Sequence, residues 1–203
     1  MDAKIWQQLL GLESVDIVKD WHKKAFDLEL NARRAKEITS AAKQAKEFFR
    51  NGEDAATTVK SLLTFYGVAS LSRATALLLQ PGSGEESLGK GHGLETKDWS
   101  DTLSGDLSPA LGRLGSLKIV TTNGLFSDFV SRTENRIPLH VRSSGVDWRL
   151  TYPQPPLGLQ LTLDDLLCRL PDLWRILPKY ETTAQFASIQ EMSFESKAGL
   201  NGT

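Results

Sequence analysis

Two residues carry chemistry that their surroundings do not. Arg73 is the single charged residue of the run Leu62–Leu79, LLTFYGVASLSRATALLL, and His92 is held between glycines in Gly91-His92-Gly93-Leu94. A guanidinium grips phosphate or carboxylate through parallel N–H groups, and an imidazole exchanges a proton near neutral pH. Together they could clamp a phosphate and serve as an acid/base pair. A guanidinium on an apolar helix is costly to bury unpaired. Arg73 is therefore expected to snorkel to the surface or to meet an acidic partner, a carbonyl cluster or a bound anion. A structural role is the first reading and anion or RNA contact the second. For His92 the plain readings are an exposed loop residue or a helix cap, with acid/base chemistry as the alternative.

Other polar groupings compete less well. Gly82-Ser83-Gly84 and Gly89-Lys90-Gly91 give residues 81–93 some phosphate-cradle character, yet they lack the strand-then-helix order of a phosphate loop. A flexible surface loop is the better reading. Lys36, Lys43, Lys46 and Arg50 line one flank of a helix, but Glu37 and Glu47 interrupt the row, as on a solvated face. Arg132, Arg136, Arg142 and Arg149 lie near Trp148 and Tyr152, a mixture suited to single-stranded nucleic acid. Trp148 also fits an alternating apolar face, which makes it core. None of the three histidines is spaced from another His or Cys as a metal pair would be, and no GxSxG or HExxH occurs. No catalytic residue, metal or cofactor is assigned.

The composition sets bounds. A chain of 203 residues holds one good-sized domain, and 40% hydrophobic with 24% charged residues is ordinary for a globular protein. A net charge of −1 gives no overall pull toward nucleic acid or anionic membrane. The one cysteine, Cys168, excludes an intramolecular disulfide and reads as a small buried hydrophobe in Leu166-Leu167-Cys168. No secretory signal and no run of about 20 apolar residues is visible, so a cytoplasmic protein with no membrane partner is expected.

Positioning falls to helices. Residues 3–30 look helical. Ala35, Ile38, Ala42, Ala45 and Phe49 form the seam of an amphipathic helix from Arg33 to Arg50, which Asn51-Gly52 would cap. The next helix, about Ala55 to Gln80, has no consistently polar face and must be enclosed by neighbours. Small Gly67, Ala69, Ser70 and Ser72 would let another helix approach. Beyond a weakly patterned stretch the period changes. Leu117, Ile119 and Thr121 predict a strand, Gly124 to Val130 a short helix, and IPLHVR with VDWRLTY a hairpin around Ser143-Ser144-Gly145. Thr162 and Asp165 resemble a capping box opening a helix through Leu170. Pro171 starts a further turn before Pro178, and the last twenty residues should be frayed.

The ordered segments QAKEFF, LLTFYGVASLSRATALLL, GHGL, NGLF and LTLDDLLCRLPDL resemble the YaaC-like proteins over roughly residues 35 to 180. That resemblance implies a fold rather than an activity. The central pair is also similar to the wider HEPN superfamily of helical bundles. Tyr66, Arg73 and Leu77-Leu78-Leu79 match its helix pattern, and His92-Gly93-Leu94 its following loop with a serine missing. Many HEPN proteins act in RNA cleavage, toxin–antitoxin pairs or phage defence, through an Arg-x4-6-His motif shared between two copies. Here Arg136 has three residues before His140 and Arg132 has seven, with Pro138 between.

The expectation is a mainly α, HEPN-like bundle forming one domain over 1–203, with its core at about 33–80 and 162–178. A small β insertion at about 116–152 completes it. The expected function is a non-catalytic interaction module for RNA or a partner protein, in a defence or stress setting. A partner protein or homo-oligomer is expected, with Arg73, His92 and Tyr66 as binding residues. The alternative is an RNase in which Arg73 and His92 form a non-standard site.

Overall fold

The computed structural model describes residues 7, 9–134, 136–140, 147–151, 153–170 and 173, with the backbone alone at 136–140 and 147–151. These residues are mainly helical and resolve into two compact units, 1–97 with 119–160 and 98–118 with 161–203.

The first unit is built on three helices. In α1 (Val15–Phe26), Ser14 caps the N-terminus by accepting the Ile17 N–H at 3.4 Å, and Asp27 ends it in a left-handed conformation. In α2 (Ala32–Glu53), Asn31 accepts the Arg34 N–H at 2.9 Å. An αL residue at a helix end and Asn at its start are the usual solutions for orphaned backbone groups. The predicted seam is the buried one: Ala35, Ile38 and Ala45 are fully buried and Ala42 nearly so. Asn51-Gly52 does not cap the helix. It continues to Glu53, with Gly52 buried beside Leu63 of α3 (Thr57–Leu78) at a distance where a Cβ would make an ordinary 3.5 Å contact.

The predicted close approach of small residues occurs between α2 and α3. The Phe49 ring lies over Gly67, so near that a Cβ there would sit 2.7 Å from the ring. Buried Ser70 and Ala74 continue the contact, and Leu12, Val18, Ile38 and Leu77 join the same core. The expectation that α3 is enclosed holds only toward its C-terminus, where Ser70, Ala74, Ala76 and Leu77 are buried. Val59, Leu62 and Val68 are 45%, 53% and 53% exposed, and Val68 lines a small apolar cavity with Leu94, Phe126 and Phe129.

The chain then forms β1 (His92–Lys97), β2 (Lys118–Gly124) and β5 (Gln160–Thr162), a three-stranded sheet in the order β1-β2-β5. The predicted strand and short helix are β2 and α6 (Leu125–Arg132), whereas β1 begins at the end of the 81–93 stretch read as loop and runs into the weakly patterned stretch after it. The predicted hairpin is the antiparallel pair β3 (Arg136–His140) and β4 (Asp147–Thr151), with Ile137 opposite Leu150 and Leu139 opposite Trp148. Its Ser143-Ser144-Gly145 loop, the turn after Pro171 and the last twenty residues lie outside the described residues.

The second unit holds α4 (Trp99–Thr102), α5 (Leu107–Gly112) and α7 (Leu163–Leu167). Arg113 donates to the Thr102 and Ser104 carbonyls, both at 2.7 Å. The predicted capping box opens α7: Thr162 Oγ1 accepts the Asp165 N–H at 3.1 Å and Asp165 Oδ2 accepts the Thr162 N–H at 2.8 Å. That helix ends at Leu167, and Leu170 is half exposed. Cys168 is buried.

Candidate functional site

The end of α3 is closed from three sides. The last carbonyls of a helix lack intrahelical partners and carry partial negative charge. His22 Nδ1 donates to the Leu78 carbonyl at 2.9 Å, Arg132 to that of Ala76 at 3.3 Å, and buried Arg34 to that of Gln80. A carbonyl only accepts, so His22 carries its proton on Nδ1, and its buried Nε2 has no partner among the described residues. Burial pulls the Arg34 guanidinium below its ordinary value, against the opposing pull of Glu37 and Glu86. These contacts fix where the chain leaves α3.

Residues 84–87 are then pinned to α2 rather than free. Glu37 Oε1 pairs with Arg33 at 2.8 Å, and its Oε2 accepts the Glu85 N–H at 3.1 Å. Glu86 bridges to Arg33 at 2.7 Å and accepts the Gly84 N–H at 3.0 Å. The Gly84 N–H foremost, then the residue's own N–H and Arg33, hold the Glu86 carboxyl below the usual carboxylate range. With the main chain held this way, the Glu85 side chain reaches Arg73, Nη1 to Oε1 at 2.6 Å. Arg73 thus has an acidic partner, on the surface rather than in the core: the two side chains are 46% and 50% exposed.

Past this loop, GHGL meets NGLF. Gly93 has φ of 78° and Gly124 has φ of 153°, values that L side chains rarely adopt. A Cβ on Gly124 would stand 2.5 Å from the Gly93 nitrogen, and one on Gly93 would stand 2.8 Å from the Phe126 nitrogen. The Leu125 N–H donates to the Gly91 carbonyl at 3.1 Å, and Asp128 Oδ2 accepts the Gly89 N–H at 2.6 Å. This crossing presents His92 at the surface, edge-on to Phe65 with ring centroids 4.9 Å apart.

A cavity of about 590 Å³ opens between these elements, and Tyr66, Arg73 and His92 all line it. Phe48, Glu85 and Lys90 complete its polar and aromatic walls. Phe48 stacks on Tyr66 at 5.5 Å, and Phe65 meets Tyr66 edge-on at 5.4 Å, so aromatic rings run from Phe48 to His92. Its size is within the roughly 300–1,000 Å³ of small-ligand sites. A second cavity of about 670 Å³, lined by Arg33, Lys36 and Glu37, shares Gln44, Arg73 and Glu85 with the first. The wall between them includes the Arg73–Glu85 pair.

The competing groups fare differently. Lys46 pairs with Glu13 at 3.1 Å and Arg50 with Glu47 at 2.7 Å, while Lys36 of the same row lines the second cavity. Arg132 is spent on the Ala76 and Ser87 carbonyls. The side chains of Arg136, Arg142, Arg149, Trp148 and Tyr152 lie outside the described residues. Phe48, Phe65 and Glu85 escaped the sequence reading as site residues, and Lys90 entered it only through the phosphate-cradle character of Gly89-Lys90-Gly91; the Phe-Phe pair of QAKEFF was the available signal for Phe48.

The family model for YaaC-like proteins matches residues 11–200. The chain belongs to the YaaC-like family. In this YaaC-like chain, GHGL and NGLF, far apart in sequence, are one structural feature joined at Gly93 and Gly124. No curated protein and no solved structure matches the chain. No helix among the described residues is long and apolar enough to cross a membrane.

Proposed function

We propose that this YaaC-like protein is a non-catalytic interaction module of HEPN-like type that binds single-stranded RNA in the Tyr66–Arg73–His92 cavity. One observation carries the reading: these residues, singled out by type and pattern, line one cavity beside a continuous row of aromatic rings. Aromatic faces stack bases without regard to sequence, and cations beside them track phosphates. Lys90 supplies a cation in addition to Arg73. A cytoplasmic setting in phage defence or stress response belongs to the same proposal.

A partner protein or second copy is the other reading, favoured by the exposure of Val59 and Leu62, one turn apart on one helix face. Contiguous apolar surface of this kind marks association sites. The two readings are compatible, because the apolar stretch runs into Phe65 and Tyr66.

Incubation with a mixed RNA pool, with and without EDTA, tests the proposal beside a His92→Ala variant. Retention of uncleaved single strands supports it. Cleavage that disappears in the variant replaces it with the RNase reading, in which His92 moves the proton and Arg73 holds the phosphate. No retention of RNA refutes both.

A further inference from the structure

Glu85 occupies the one guanidinium that lines the aromatic cavity among the described residues. Its own position does not depend on that contact. The Glu85 N–H is held by Glu37 and the Gly84 N–H by Glu86, which in turn bridges to Arg33. The Glu85 side chain can therefore leave Arg73 while the loop backbone stays in place. Half-exposed ion pairs are weak and readily exchanged. A phosphate presents to a guanidinium the same pair of acceptor oxygens as a carboxylate does.

The site of exchange also has a geometric consequence. Glu85 and Arg73 line both cavities. With the pair open, the aromatic cavity joins the one lined by Lys36, giving a groove with ring faces at one end and Lys36 at the other, where Arg33 stays paired to Glu37 and Glu86. That arrangement fits a base followed by phosphates.

We propose that Glu85 is a resident stand-in for phosphate, and that a nucleotide displaces it from Arg73 and so opens the groove toward Lys36. This rests on the RNA-binding reading and adds its regulation: the empty site holds itself closed with its own anion. The ligand chemistry is a nucleoside phosphate, supplied by an RNA strand or by free nucleotide.

The experiment measures binding of a fluorescein-labelled oligouridylate of about eight nucleotides, with AMP as competitor. The proteins are wild type, Glu85→Gln, Arg73→Ala and the double variant, each checked for a native thermal transition. Because the loop is held by backbone contacts, Glu85→Gln should fold, and Glu85→Ser is a second form of the same test. The gate predicts that Glu85→Gln tightens binding about fivefold and that the gain vanishes in the Arg73→Ala background. Competition by AMP that improves in parallel assigns the gain to a single nucleotide; a gain confined to the oligomer assigns it to the strand. Unchanged or weaker binding by Glu85→Gln overturns the gate while leaving RNA binding intact, as does an equal gain without Arg73. Absence of binding by all forms removes the RNA reading and the gate with it.

Discussion

Gly93 and Gly124 cross with their backbones in contact: a Cβ on Gly124 would lie 2.5 Å from the Gly93 nitrogen and 2.9 Å from its Cα. Gly124 also has φ of 153°. Gly124→Ala must therefore both strain its own backbone and separate two segments that cannot yield like a flexible side chain. The expected loss is about 3 kcal/mol or more in urea denaturation, with loss of ligand binding, since β1 would no longer present His92. A change below about 0.5 kcal/mol would show that the crossing is not formed.

Closure of α3 by side chains from other elements gives a second expectation. Arg34→Met keeps the long apolar stem of a buried residue but leaves the Gln80 carbonyl without that donor. The expected cost is about 1–3 kcal/mol. Hydrogen exchange should rise in the last turn of α3 and in residues 81–87. Exchange unchanged there would mean that water replaces the guanidinium without loss.

Acid should loosen the loop through Glu86. Its carboxyl is held below the usual range by the Gly84 N–H first, so its folded value is the depressed one. Such a group contributes fully above the unfolded carboxylate value, about 4.3, and the contribution is lost as pH falls through the folded value. Glu86→Gln should thus be less stable than wild type at pH 7, and the difference should shrink below about pH 4. A difference independent of pH between about 7 and 3 would contradict the assignment.

The apolar half of α3 gives the opposite kind of expectation. Leu62 is 53% exposed, so Leu62→Lys should change monomer stability by less than about 0.5 kcal/mol. Sedimentation would separate self-association from a free surface: a wild-type dimer that the variant dissolves makes this face the interface between copies. A loss of several kcal/mol in a monomer would instead mean that the helix is enclosed.

What the sequence disclosed was local, and what it hid was tertiary. The seam Ala35, Ile38, Ala42, Ala45 was legible because one helix face repeats every three or four residues and is buried. Asn51-Gly52 misled because glycine at a helix end usually caps, whereas here it is a buried residue inside the last turn of α2. β1 escaped because five of its six residues are exposed, so no alternation marks it. Arg73 and His92 stood out by their unusual surroundings. Glu85 did not, since an acid in a polar loop carries no sign that α2 will deliver it to Arg73. The roles of His22 and Arg34 were hidden for the same reason: each caps a helix other than its own.

Single-stranded RNA is proposed to bind in the cavity shared by Tyr66, Arg73 and His92. Fluorescence anisotropy with a labelled oligouridylate, comparing wild type with Tyr66→Ala, addresses this most directly. Tyr66 is 40% exposed and stacked on Phe48, so truncation should leave the fold intact and remove a base platform. Base stacking of about 1–3 kcal/mol predicts binding weakened about tenfold or more, with the thermal transition little changed. Equal affinity in the two proteins would contradict the account.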